Sequence, residues 1–318
     1  MRWIIPRALA PLARALALVV LLAITLTPAW AQGGDGPNPG VHVAPPDGPY
    51  TVYLTFDDGP SSSVTPLVLD ILAEYDVPGT FFLHGHRIAD NEGLVRRMVE
   101  DGHAIGNHLW QQDGLTAGSG VSESQLRASW QRTEDEIARA LGPELAAVYA
   151  QQPVYLIRQP GGSARPFPVP EGVVAITYNW HVSSGDSAPW NPGPGDPPTR
   201  PWNYVVGNVV LSWFEPFRYY SVYEYGDGAI ILMHDVSPVL PQALPSIIED
   251  LLENGASFGV LPRPGDNPGS MPVLISAPPE WYLYNDPFPG TPADAEADVA
   301  DPAATTPSLV GTRPDMLP

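Results

Sequence analysis

From Tyr50 to Leu261 the chain alternates short β-branched or aromatic runs with longer segments of helical apolar spacing, and this alternation is the strongest constraint on its fold. "YTVYLTF" is bounded by Pro-Tyr and by Asp-Asp-Gly-Pro, so it reads as a buried strand that ends in a loop. "VTPLVLDILAEYDV" follows, with Leu67, Leu69, Ile71 and Leu72 spaced for a helix against a sheet. "GTFFL", "HAIG", "VYLI", "GVVAITYNW", "AIILMHD" and "ASFGVL" continue the strands. "NEGLVRRMVEDG", "SESQLRASWQRTEDEIARAL", "YVVGNVVLSWF" and "LPSIIEDLLENG" continue the helices. Such an order predicts an α/β fold of parallel strands with helices outside, either a barrel or a doubly wound sheet. In both, reactive side chains sit just past the C-terminal ends of the strands.

The flanks do not share this pattern. Residues 1–31 carry Arg2, Arg7 and Arg14, then an apolar run, then the small-residue site Ala29-Trp30-Ala31, which reads as a secretory signal peptide and predicts a secreted or cell-envelope protein. Residues 32–49 are a Gly- and Pro-rich linker, residues 50–261 the folded domain, and residues 262–318 a Pro-rich acidic tail expected to be largely disordered. Inside the domain, residues 183–203 are too rich in Pro and Gly for a regular element and read as a long loop. With no cysteine, an exported domain must rely on its apolar core. The formal charge of −20 argues against a nucleic-acid partner. All 15 basic residues are arginine, which excludes lysine Schiff-base chemistry and a P-loop lysine.

Four expected strand ends carry residues that could do chemistry. Asp57 and Asp58 close the first, and adjacent side chains diverge, so one carboxylate can bind a metal while the other stays free as a base; an Asx turn capping the next helix is the structural alternative. His108 ends "HAIGNH". Arg158 follows "VYLI" and suits either a two-pronged clamp on a carboxylate or a plain ion pair. His234 follows "AIILM" and has the titration range of a proton donor, although a solitary strand-end histidine is more often structural.

In order, "TFDDGP", "GTFFLHG", "LVRRMVEDGHAIGNH", "IRQPGG", "SGD" after "YNW", and "ILMHD" resemble the polysaccharide deacetylases of the NodB-homology type, carbohydrate esterase family 4. The resemblance implies a distorted (β/α) barrel and a hydrolase that removes N-acetyl, or in some relatives O-acetyl, groups from a polysaccharide such as peptidoglycan or a chitin-like glycan, acting as a monomer. It implies Asp57 as general base, Arg158 as the residue orienting it, His234 as general acid and Asp186 as the carboxylate that tunes the acid. Asp58 and His108 would bind a divalent metal, zinc foremost, and Pro160, Gly161 and Leu232 would face the substrate.

The departure lies at the metal. The family's second histidine falls four residues after the first, where this chain has Gln112, a poor zinc ligand beside an imidazole. Ser187 likewise stands where the family has a tryptophan. Asp113, His84 and His86 are the other nearby donors, and both histidines read as surface or packing residues. The expectation is therefore weak metal binding. A catalytically impaired glycan-binding module is the alternative to a working enzyme.

Overall fold

The structure is a computed structural model that describes residues 45–111, 121–152, 154–162, 167–187, 199, 201–211 and 221–266. The signal peptide and most of the linker, Gln112 and Asp113, most of the loop 183–203 and the tail beyond Asp266 lie outside the described residues.

The elements run β1 (Tyr50–Asp57), α1 (Thr65–Glu74), β2 (Thr80–Leu83), α2 (Gly85–Ile88) continuing into a 3-10 turn (Ala89–Asn91), α3 (Glu92–Glu100), β3 (Ala104–Asn107), α4 (Glu123–Tyr149), β4 (Tyr155–Ile157) and β5 (Ala175–Thr177). They continue as β6 (Val182–Ser183), α5 (Trp202–Leu211), α6 (Val222–Tyr225), β7 (Ala229–His234), α7 (Leu240–Glu253) and β8 (Ala256–Phe258). All strand pairs are parallel, in the order β5-β4-β3-β2-β1-β7-β6. β8 joins the start of β1 on the edge that β2 occupies further along: Val52 faces Phe258, and Thr55 faces Thr80.

Strand alternation divides the core into two layers. On β1, Val52, Leu54 and Phe56 point outward to Val68, Leu69 and Leu72 of α1, while Tyr53 points into the curl of the sheet. On β7, Ile231 and Met233 face out and Ile230 and Leu232 face in. Asp57 and His234 follow in the inward phase, so an apolar inner layer lies beneath the reactive side chains at the open end. Gly106 on β3 permits this curl. A Cβ there would lie 2.8 Å from the Phe82 ring and 2.9 Å from Leu156 Cβ.

The helices cover the outer layer. α7 buries Leu240, Ala243, Leu244, Ile247, Ile248 and Leu251, a stripe of helical period. α4 starts at a capping box between Ser122 and Gln125 and is broken at Gly142, with φ 71° and ψ 174°, where Pro143 begins about two further turns.

The expected elements differ from the observed ones at several places, and the strand expected over "ASFGVL" ends at Phe258. The strand expected over 172–180 shrinks to Ala175–Thr177, because Gly172 is in a left-handed turn and the Asn179 carbonyl is taken by Arg158. The loop expected from 183 begins with the last residue of β6. The turn α2 occupies sequence for which no element was expected. Past Leu261 the chain stays packed, with Arg263 donating to the Gly228 carbonyl at 3.0 Å and Tyr178 to Asp266 at 2.6 Å. No helix of the described residues is long and apolar enough to cross a membrane.

Candidate active site

At the end of β1, Asp57 remains in the strand and is buried. Asp58 turns the chain through a left-handed conformation with φ 71°, which Asp tolerates better than most residues, and its side chain therefore points elsewhere. The two carboxylates acquire separate partners, as a division of roles requires.

Asp57 belongs to an arginine clamp. Arg158 is fully buried and donates from Nη1 to Asp57 Oδ1 and to Thr55 Oγ1, both at 2.8 Å, and from Nη2 to the Asn179 carbonyl at 3.2 Å. Its guanidinium lies 4.2 Å from the Phe82 ring centroid. One Asp57 oxygen is thus fixed, and the other lies 3.6 Å from His108 Nε2.

Asp58 belongs to an imidazole pair. Its Oδ1 lies 3.3 Å from His108 Nε2 and 3.1 Å from His84 Nε2. The ligating atoms of Asp58, His84 and His108 all fall within 4.8 Å of one another, the one such group among the described residues. The expectation that His84 reads as a surface or packing residue is corrected as to the surface. It is buried, and its ring centroid is 4.7 Å from that of His108. The cause is local splicing of two strand ends: Gly85 N donates to the Leu109 carbonyl and His86 N to that of Trp110. Leu109 adopts φ 64°, and its N–H is received by Asn107 Oδ1 at 2.8 Å. His86, the other candidate, bonds the Trp110 carbonyl through Nδ1 at 2.8 Å and stands outside the three-donor group.

This donor set suits a divalent cation. His108 Nδ1 meets the Arg158 carbonyl at 2.8 Å and His84 Nδ1 the Leu109 carbonyl at 3.5 Å; a carbonyl only accepts, so both Nδ1 atoms donate and both Nε2 atoms are turned to Asp58, where a cation would take the place of the proton that otherwise bridges each ring to the carboxylate. Burial lowers the His84 pKa against the pull of Asp58, which keeps its ring neutral. Burial opposes protonation of His108 too, but Asp57 and Asp58 outweigh it and raise its pKa. Asp58, despite burial, is held well below the usual carboxylate range by bonds from His108 and His84.

His234 occupies the other side of Asp57, its register partner across β1 and β7. Its Nδ1 lies 2.9 Å from Asp186 Oδ1 and its backbone N–H donates to Asp186 Oδ2 at 3.0 Å; Ser184 Oγ also donates to Asp186, at 2.8 Å. Burial alone would lower the His234 pKa, but Asp186, with smaller contributions from Asp58 and Asp57, lifts it to about 9. Ser187 Oγ lies 3.2 Å from His234 Nε2, beside the ring where the resemblance implies the family's tryptophan. Leu232 lies on the inner face of β7 two residues earlier, and Pro160 is buried beside the exposed Gly161, whose φ is 69°.

The family model for polysaccharide deacetylases matches residues 44–166. A chitooligosaccharide deacetylase of Sinorhizobium fredii is 51% identical over 193 residues, 59% of this chain and 73% of that protein. The chain belongs to the polysaccharide deacetylase family. A peptidoglycan-N-acetylglucosamine deacetylase of Listeria monocytogenes is 32% identical over 209 residues, but this chain spans only 37% of its length. Among solved structures, a family 4 acetyl xylan esterase from Clostridium thermocellum in complex with a cobalt ion is 29% identical, with a TM-score of 0.50, covering 66% of this chain and 88% of that one. The curled parallel sheet is thus the distorted (β/α) barrel of this deacetylase family, with the described site at its open end.

Proposed function

We propose that this protein is a metal-assisted hydrolase that removes N-acetyl groups from an extracytoplasmic glycan of the chitooligosaccharide or peptidoglycan kind. The carrying observation is that a carboxylate and an imidazole are register partners on adjacent strands, each paired with a further charged side chain, Asp57 with Arg158 and His234 with Asp186. The substrate class and the site outside the cytoplasm draw support from the relatives' names and from the basic and apolar pattern of residues 1–31.

Amide hydrolysis needs a base for the attacking water and an acid for the departing nitrogen, because an unprotonated amide anion is a very poor leaving group. Asp57 serves as the base. Arg158 holds Oδ1, and Oδ2, on the His108 side, would take a proton as the water oxygen bonds to the acetyl carbon. His234 serves as the acid. With a pKa near 9 it carries its proton at neutral pH, and Asp186 on Nδ1 leaves Nε2 to give that proton to nitrogen as the carbon–nitrogen bond breaks. A divalent cation held by Asp58 and the imidazoles beside it would polarise the acetyl oxygen and the water. Leu232 and Pro160, both buried, would exclude water around the methyl group. The products are acetate and a free amine on the sugar.

The test is acetate release from N-acetylated chitooligosaccharides and from peptidoglycan by wild type, Asp57→Asn and His234→Ala. Each variant should lose about 10²-fold or more of the rate while its circular dichroism is unchanged. Binding of the glycan with no acetate from wild type would instead identify a binding module, and a variant that keeps most activity would remove its residue from the mechanism.

A further inference from the structure

Resting on the proposed function, we infer that His84, at the end of β2, is the third protein ligand of the cation, in the role that one turn of chain would assign to position 112. Two donors about 2.0–2.1 Å from one ion in a tetrahedral arrangement are separated by about 3.3 Å. The two Nε2 atoms stand 3.1 and 3.3 Å from the same Asp58 oxygen. Both rings are buried, 3% exposed for His84 and 2% for His108, and each is oriented through Nδ1 by a backbone carbonyl. Both Nε2 atoms converge on the same oxygen of Asp58, the convergence that a shared cation requires.

The placement has a structural logic. β3, β2 and β1 are consecutive in the sheet, so His108, His84 and Asp58 come from three neighbouring strand ends, held by the strand ladder and by the splice from Gly85 to Leu109. A ligand set of this kind leaves the segment after Trp110 without a coordinating duty. On this assignment three protein donors are present without Gln112.

The experiment uses the full chain, stripped by a chelator and titrated with zinc against a chromophoric competitor and with cobalt(II) followed by visible absorption. Wild type should bind one equivalent. Removing an outer partner of a ligand typically weakens metal binding 10- to 100-fold, so His84→Ala, which removes the ligand itself, should lose about 100-fold or more. Gln112→Ala and His86→Ala should bind within about threefold of wild type on the same reasoning. X-ray absorption of the zinc-loaded wild type provides a measurement independent of variant folding and should report two imidazoles. One imidazole, unchanged affinity in His84→Ala, or an equal loss in Gln112→Ala would overturn the inference. Two imidazoles with no acetate released would overturn the proposed reaction and leave this ligand set standing; acetate released by a one-imidazole site would do the reverse.

Discussion

Asp186 illustrates how one carboxylate sets the chemistry of a neighbour. It receives the His234 backbone N–H and faces its Nδ1, so it both aims the ring and favours its charged form against burial. Asp186→Asn keeps the shape and removes the charge, and burial then dominates. His234 should lose its proton at lower pH, and the alkaline limb of the activity profile should move toward neutrality. A limb that stays in place would show that another group supplies the proton. At this scale most of the site was legible in the sequence, because Asp57, Asp58, His108, Arg158, Asp186 and His234 all stand in short polar stretches that close apolar strands or follow them. His84 was not, since a histidine without a partner at i+4 has no spacing signature and its two partners come from other strands. Its one signal was its position directly after "GTFFL", at a strand end like the others.

At the level of elements, α4 is tied to the metal side of the site by a buried carboxyl. Glu134 accepts from Asn107 Nδ2 at 2.7 Å and from Tyr149 OH at 3.1 Å, and the same Asn107 holds the Leu109 turn between His108 and the carbonyl facing His84. Burial raises the Glu134 pKa to about 7 against these two bonds. The folded-state pKa therefore exceeds the unfolded one, so the stability this group confers is full below about pH 4.5 and declines as the pH rises to about 7. Glu134→Gln, which resembles the protonated acid, should match wild type in thermal unfolding near pH 4.5 and be the more stable protein at pH 8 and above. Equal melting temperatures at both pH values would contradict this. Gly106→Ala tests the curl of the sheet: its Cβ would press on Phe82 and Leu156, and overpacking of this kind costs about 1–3 kcal/mol, readable in denaturant unfolding. The long helices were readable from their stripes and caps. The short strands were not: three residues of β5 cannot be told from their apolar flanks when the ladder ends for a tertiary reason, the diversion of the Asn179 carbonyl to Arg158.

For the whole molecule, alternation of strand and helix already implied parallel strands with reactive groups at one end, and the sheet places the site there. Alternation could not choose between a closed or curled barrel and an open sheet, because both share the same local pattern; the inner layer around Tyr53, Phe82, Leu156 and Trp180 makes that choice. The packing of Arg263 and Asp266 onto Gly228 and Tyr178 predicts that limited proteolysis yields a stable fragment ending beyond Asp266, whereas cleavage before Leu261 or division into two fragments would contradict a single unit. On the proposed mechanism, one cation at the open end of this barrel and the flanking acid and base act together on an acetylated sugar. The most direct test is acetate release from an N-acetylated chitooligosaccharide by the chelator-stripped protein as zinc is added stepwise. The rate should rise from near zero and reach its plateau at one equivalent of zinc; acetate released at full rate with the chelator present, or none at any zinc level, would rule out a metal-assisted hydrolase.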